Sequence, residues 1–153
     1  MANLTKHKEL DFLKYVTVFL VSLFCASCQT AKWSVISPEA TFKQVTWDKT
    51  ELAGDVAIRT LRQTPEASFH IIRLNKSEKP HIHERHDLVV YVLKEEALVH
   101  YRDKTVKVKR GDVIEVPKGT IHWAETVHNK PAEVYAVFTP PFDGKDVKPV
   151  TLP

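Results

Sequence analysis

Two stretches decide how this chain is read: Lys79-Pro80-His81-Ile82-His83-Glu84-Arg85-His86-Asp87-Leu88, and Gly111-Asp112-Val113-Ile114-Glu115-Val116-Pro117-Lys118-Gly119-Thr120-Ile121-His122. In an extended strand, side chains two apart share a face, roughly 6.5 to 7 Å apart along the chain. His81 and His83 therefore point the same way if this segment is a strand. Two imidazoles so placed can converge on one metal ion when a third comes from elsewhere, and His122 is the candidate. Neutral imidazole is the commonest metal ligand among side chains. Half of the eight histidines, His81, His83, His86 and His122, fall in these two segments.

Outward from them, the chain reads as strands. Asp55–Arg59 and Ser68–Leu74 are alternating or β-branched runs, and Asn75–Pro80 is a polar loop delivering the chain to His81. Leu88–Leu93, Ala97–Tyr101 and Thr105–Val108 follow, the last two joined by a turn at Arg102-Asp103-Lys104. Val113–Val116, Ile121–Thr126 and Glu133–Phe138 complete the series, while Val35-Ile36 and Val45-Thr46-Trp47 suggest brief strands nearer the start. Short strands at even spacing, joined by turns, indicate an all-β sandwich or barrel. Beyond the first 27 residues, no stretch keeps helical periodicity over three turns. The proline-rich tail from Thr139 onward is expected to lie along the outside. His70, His100 and His128 lack partners in sequence and read as surface or strand residues.

The first 27 residues differ in kind. Lys6, Lys8 and Lys14 precede an uncharged apolar run centred on Val16–Phe24, followed by Ala26-Ser27-Cys28. This order reads as a secretory signal, and the apolar run is short for a transmembrane helix, which needs roughly 20 residues. The small residues before Cys28 resemble the lipobox of bacterial lipoproteins, which implies cleavage before a lipidated Cys28. Cys25 stands where that motif usually has an aliphatic residue, so ordinary signal cleavage stays open. The expected division is 1–27 as leader and 28–153 as one domain, exported to the cell envelope or periplasm, with a lipid anchor at Cys28 as its only attachment to a membrane. Cys25 and Cys28 form a C-x-x-C pair, but inside a targeting segment and with no second pair they do not indicate zinc or redox chemistry. A formal charge of +3 over the whole chain gives no reason to expect nucleic acid. The basic run Lys104–Arg110 alternates with valines and reads as a solvent-facing strand.

Gly111, five residues, Pro117-Lys118-Gly119, two residues and His122 closely resemble the second motif of the cupin superfamily, with Thr126 where asparagine is usual. His81 and His83 match the first motif. The resemblance covers Lys79 to Thr126 by motif and the flanking strands by general pattern. It implies a single cupin-type β-jelly-roll barrel with a metal-centred pocket. Gly111 and Gly119 suit turns that need backbone angles other residues reach only with strain.

The family's carboxylate ligand follows the second histidine by four or five residues. Four on is Asp87; five on is Leu88, which an alignment through Tyr91-Val92-Leu93 puts at the glutamate position. Asp87 can substitute, His86 can swing in, or water can take the place. Strict alternation from His83 favours Asp87, so the expected metal set is His81, His83, Asp87 and His122. The implied cofactor is a divalent transition metal (Fe, Mn, Ni, Cu or Zn), for which a histidine-rich site with open positions is suited. Three functions stay open: a metal-dependent enzyme of oxygenase or isomerase type on a small molecule, a module that binds a small ligand or metal without turnover, and a structural or interaction protein whose barrel partners another envelope component. The resemblance also implies pairing of two copies through their sheets, a homodimer, as one arrangement.

Overall fold

The computed structural model describes residues 33–43 and 45–152; the leader reading, Cys25 and Cys28 lie outside them. Twelve strands and one short helix follow each other in the order β1 (Ser34–Ile36), β2 (Thr41–Lys43), α1 (Lys49–Ala53), β3 (Val56–Gln63), β4 (Ser68–Leu74), β5 (His81–Ile82), β6 (Asp87–Lys94), β7 (Glu96–Tyr101), β8 (Thr105–Lys109), β9 (Val113–Val116), β10 (His122–Thr126), β11 (Ala132–Thr139) and β12 (Lys148–Pro149). Apart from the β1–β2 hairpin they form two antiparallel five-stranded sheets, ordered β12-β5-β10-β7-β8 and β3-β4-β11-β6-β9. The all-β reading holds.

Period-2 alternation explains how the sheets close. Leu74, Leu88, Val92, Ile114, Val116 and Phe138 from one sheet meet Ala97, Val99 and Val108 from the other in a single buried cluster. The intervening residues of β4, β6 and β11 face the opposite way. There Ile71, Leu93 and Ala57 pack under Trp33 and Trp47 in a second cluster. The sheet containing β11 is thus apolar on both faces, one turned to the barrel interior and one to the chain's own 33–57 segment.

Two expectations change here. Residues Val45–Trp47 are not a strand but an irregular segment in which Trp47 is buried, and Asp48 then caps α1 through a reciprocal capping box with Glu51. The tail beyond Thr139 does not simply lie outside. Asp146 is fully buried, Phe142 packs against the interior cluster, and β12 pairs with β5. Asp146 accepts from the Arg85 N–H and pairs with His86, and the Val150 N–H donates to Pro80 O, which holds the tail across the histidine-bearing end of the barrel.

Gly111 and Gly119 take φ of 95° and 78°, values that carry little penalty only for glycine. The Gly119 N–H donates to His83 O at 2.7 Å. This ties the turn before β10 to the segment carrying the first two histidines.

Candidate metal centre

Register places the histidines. His122 opens β10 directly opposite His81 on β5, and directly opposed residues on one face have side chains in contact range. His83 lies two residues past His81, on the same face. Ring centroids stand 4.4 Å apart for His81–His122, 5.1 Å for His81–His83 and 5.3 Å for His83–His122. One ring nitrogen from each falls within 4.8 Å of the others. All three residues are buried.

The other nitrogen of each ring is engaged. Nδ1 of His81 faces Lys79 O at 2.8 Å, Nδ1 of His83 faces Asp146 O at 2.7 Å, and Nδ1 of His122 faces Thr120 O at 2.9 Å. A carbonyl oxygen can only accept, so each Nδ1 carries the hydrogen and donates it. In a neutral ring this leaves Nε2 with a free lone pair, the tautomer that a ligating imidazole needs, and such partners also fix ring orientation. Burial pushes His122 down to about 4, against the opposing effect of the Thr120 carbonyl, and burial also lowers His83. Both rings are therefore neutral near pH 7. Phe138 and Phe142 set their rings edge-on to His83 at 5.3 and 5.8 Å, walling it in place.

Asp87 does not join this group. It is exposed on β6, and its Oδ1 accepts from the Lys118 N–H at 2.9 Å. Alternation from His83 fails because Glu84 and Arg85 form a bend that resets the phase before β6 begins. Leu88 is the inward residue and lines the cavity, so an apolar side chain occupies the position where the resemblance leads one to look for a carboxylate. His86 is buried but also engaged elsewhere, with Nδ1 at 2.6 Å from Asp146 Oδ2 and Nε2 at 3.1 Å from Pro141 O. Among the described residues the group is three histidines, with the remaining positions facing the cavity.

Sequence reasoning missed two residues. Asp146 holds His83 through its backbone carbonyl, while its carboxylate accepts from the Arg85 N–H and from His86. Burial pushes that carboxyl up, but hydrogen bonds from the Arg85 and Glu84 backbone and from His86 hold it well below the usual range. Nothing in an aperiodic tail marks such a residue. Glu78 sits in the segment read as a polar loop, which runs antiparallel beside β10. Its N–H donates to Ala124 O, its Oε2 accepts from the Ala124 N–H at 2.9 Å, and it lines the cavity. Burial pushes the Glu78 carboxyl up, opposed by His81 and the Ala124 N–H. Two further histidines have partners of their own: His70 is buried between Ser68 and Thr60, and His100 stacks on Trp123 at 4.6 Å.

Comparison with known proteins agrees with this architecture. A cupin domain model matches residues 70–138. An uncharacterized protein of Aquifex aeolicus (strain VF5) is 33% identical over 98 residues, covering 64% of this chain and 80% of that protein. Among solved structures, KdgF from Halomonas sp. is similar at 24% identity and a TM-score of 0.55, covering 59% of this chain and 83% of that one. Pac13 of Streptomyces, a nucleoside dehydratase, is similar at 18% identity and a TM-score of 0.54, covering 64% of this chain and 80% of that one. At these identities the two structures speak to the fold alone. Residues 70–138 match a cupin domain, and three buried histidines within that span form a group that could hold a metal ion.

Proposed function

We propose that the protein is a cell-envelope cupin whose His81, His83 and His122 hold a divalent transition metal through Nε2, and which acts on a small molecule entering the barrel. The observation that carries the reading is the shared tautomer: three buried rings, each with Nδ1 committed to a carbonyl and Nε2 turned to the same place. Three imidazoles suit Fe, Mn, Ni, Cu or Zn, and a carboxylate-free set leaves positions for ligand oxygen. Bound there, such an ion would supply Lewis-acid polarisation of that oxygen. The chain's own part is to orient the rings, through Lys79, Thr120 and Asp146, and to keep bulk water out with Phe138 and Phe142.

The replacement of the expected carboxylate by Leu88 favours a second reading, a module that binds without turnover, since fewer protein ligands hold the ion less firmly. Elemental analysis of the purified protein tests the shared premise. One metal per chain is expected in the unaltered protein, with His122→Ala weakening affinity more than about 100-fold, beyond what loss of an outer-shell partner costs. A metal content equal in both proteins overturns the site. Metal bound without conversion of any small-molecule panel member supports the module. The envelope location rests on the 1–28 segment: radiolabelled fatty acid is expected to enter the intact protein and not Cys28→Ala, and equal labelling removes the anchor.

A further inference from the structure

The cavity that the histidines face is about 460 Å³, within the range of small-molecule pockets. Its chemistry is uneven. The walls are alternate inward residues of both sheets, such as Ile72, Val92, Val99, Ile114, Val116 and Val134. The polar groups gather near β5 and β10: the three histidines, Glu78, Ser77 and the Trp123 indole. Of the other charged lining residues, Asp55 and Lys79 are exposed, and Asp55 is paired with Lys76 at 3.4 Å. Among the described residues no arginine lines the cavity.

Such a wall selects against molecules polar all round. Every hydroxyl or amide carried among valines gives up its water partners and gains none, which costs affinity group by group. An apolar body loses nothing by the same transfer and gains from its own burial. At the polar end, Glu78 has one oxygen anchored by the Ala124 N–H, and no other protein hydrogen bond to this carboxylate is found among the described residues. The upward push of burial on Glu78 is opposed by His81 and the Ala124 N–H; in its ionised form the carboxylate only accepts, so the group it then suits is a donor, and an anionic head would meet like charge.

We infer that the barrel selects a small, predominantly apolar molecule bearing one hydroxyl donor of alcohol, phenol or enol type, with that hydroxyl at the histidine end against Glu78, which is a specificity-determining residue. This rests on the cavity being the ligand site proposed above, and it does not require the metal to be bound. Polyhydroxylated sugars, sugar acids and nucleosides are disfavoured.

The test is calorimetric titration of the full chain, metal-free and metal-loaded, with 2-naphthol, 2-methoxynaphthalene and uridine. The expected result for the metal-free protein is binding of 2-naphthol at least about tenfold tighter than either of the others, the scale of one hydrogen bond to a charged acceptor. Glu78→Leu should bring the 2-naphthol to 2-methoxynaphthalene ratio close to one; Glu78→Gln, the milder change, should reduce it and serves if the first does not fold. Val134→Thr, nearly isosteric, should weaken both naphthalenes several-fold. Uridine binding as tightly as 2-naphthol, a ratio unmoved by either Glu78 variant, or no binding of 2-naphthol overturns the inference. Metal content is read separately by elemental analysis. Naphthol binding without metal therefore fails only the metal reading, and metal without naphthol selectivity fails only this one.

Discussion

Two buried clusters of polar side chains sit on opposite faces of this fold, and they are built on opposite rules. On the outer face of β11, Glu133 is 1% exposed and collects three donors. Trp33 Nε1 donates to Oε2 at 3.0 Å, Trp47 Nε1 to Oε1 at 3.2 Å, and Arg73 NH1 to Oε1 at 2.7 Å. Donors and acceptors are complementary, and the cluster is closed. Inside the barrel, His81, His83 and His122 bring one ring nitrogen each within 4.8 Å of the others, and among the described residues no protein donor lies between them. Like groups converging in a buried place gain nothing from one another. Complementary polar burial pins the chain; uncomplemented polar burial leaves a site that something else must complete.

The difference predicts different failures. The largest loss of stability should come at the closed cluster. Glu133→Ala strands two indole N–H groups and a guanidinium, and breaking a buried pair costs about 3 to 5 kcal/mol. The urea midpoint should fall accordingly, while metal per folded chain stays as it was; a fall of less than about 1 kcal/mol would show that Trp33 and Trp47 are held by packing alone.

The open cluster should answer to pH instead. With His122 at about 4 in the fold against about 6.5 unfolded, the unfolded chain binds the extra proton between those values. Stability of the metal-free protein therefore rises with pH across that window and is lost on acidification, by about 3 kcal/mol from this residue. His83 is shifted the same way, and the raised Glu78 offsets part of the loss just above its ordinary range. Urea titrations at pH 7, 5.5 and 4.5 check this, and a midpoint that does not move would mean the rings are not held neutral by burial.

Asp87 sharpens the comparison from outside both clusters. Asp87→Ala removes one exposed hydrogen bond to Lys118 N and should cost about 1 kcal/mol or less, with metal content unchanged. A drop in bound metal would mean that Asp87 reaches the centre after all, and the open cluster would then be less open than its geometry indicates.

Much of this was legible beforehand. Period-2 runs from Ser68 to Phe138 marked the strands, and Gly111, Pro117-Lys118-Gly119 and His122 marked the turn that presents the third histidine. The i, i+2 spacing of His81 and His83 was enough to put two rings on one face. The choice at residue 87 was not legible, because alternation extrapolates only while the backbone stays extended, and the Glu84–Arg85 bend breaks it. Nor did any local pattern mark Glu78, Glu133 or Asp146.

What the sequence determined by itself is what neighbouring residues impose on each other: the strand faces, the positive-φ turns and the pairing of His81 with His83. Only the tertiary structure decided the rest. The cross-strand register sets His122 opposite His81, and the returning tail supplies the carbonyl that fixes the tautomer of His83. Those contacts join residues far apart in the chain, and the burial that keeps the rings neutral exists only once both sheets have closed.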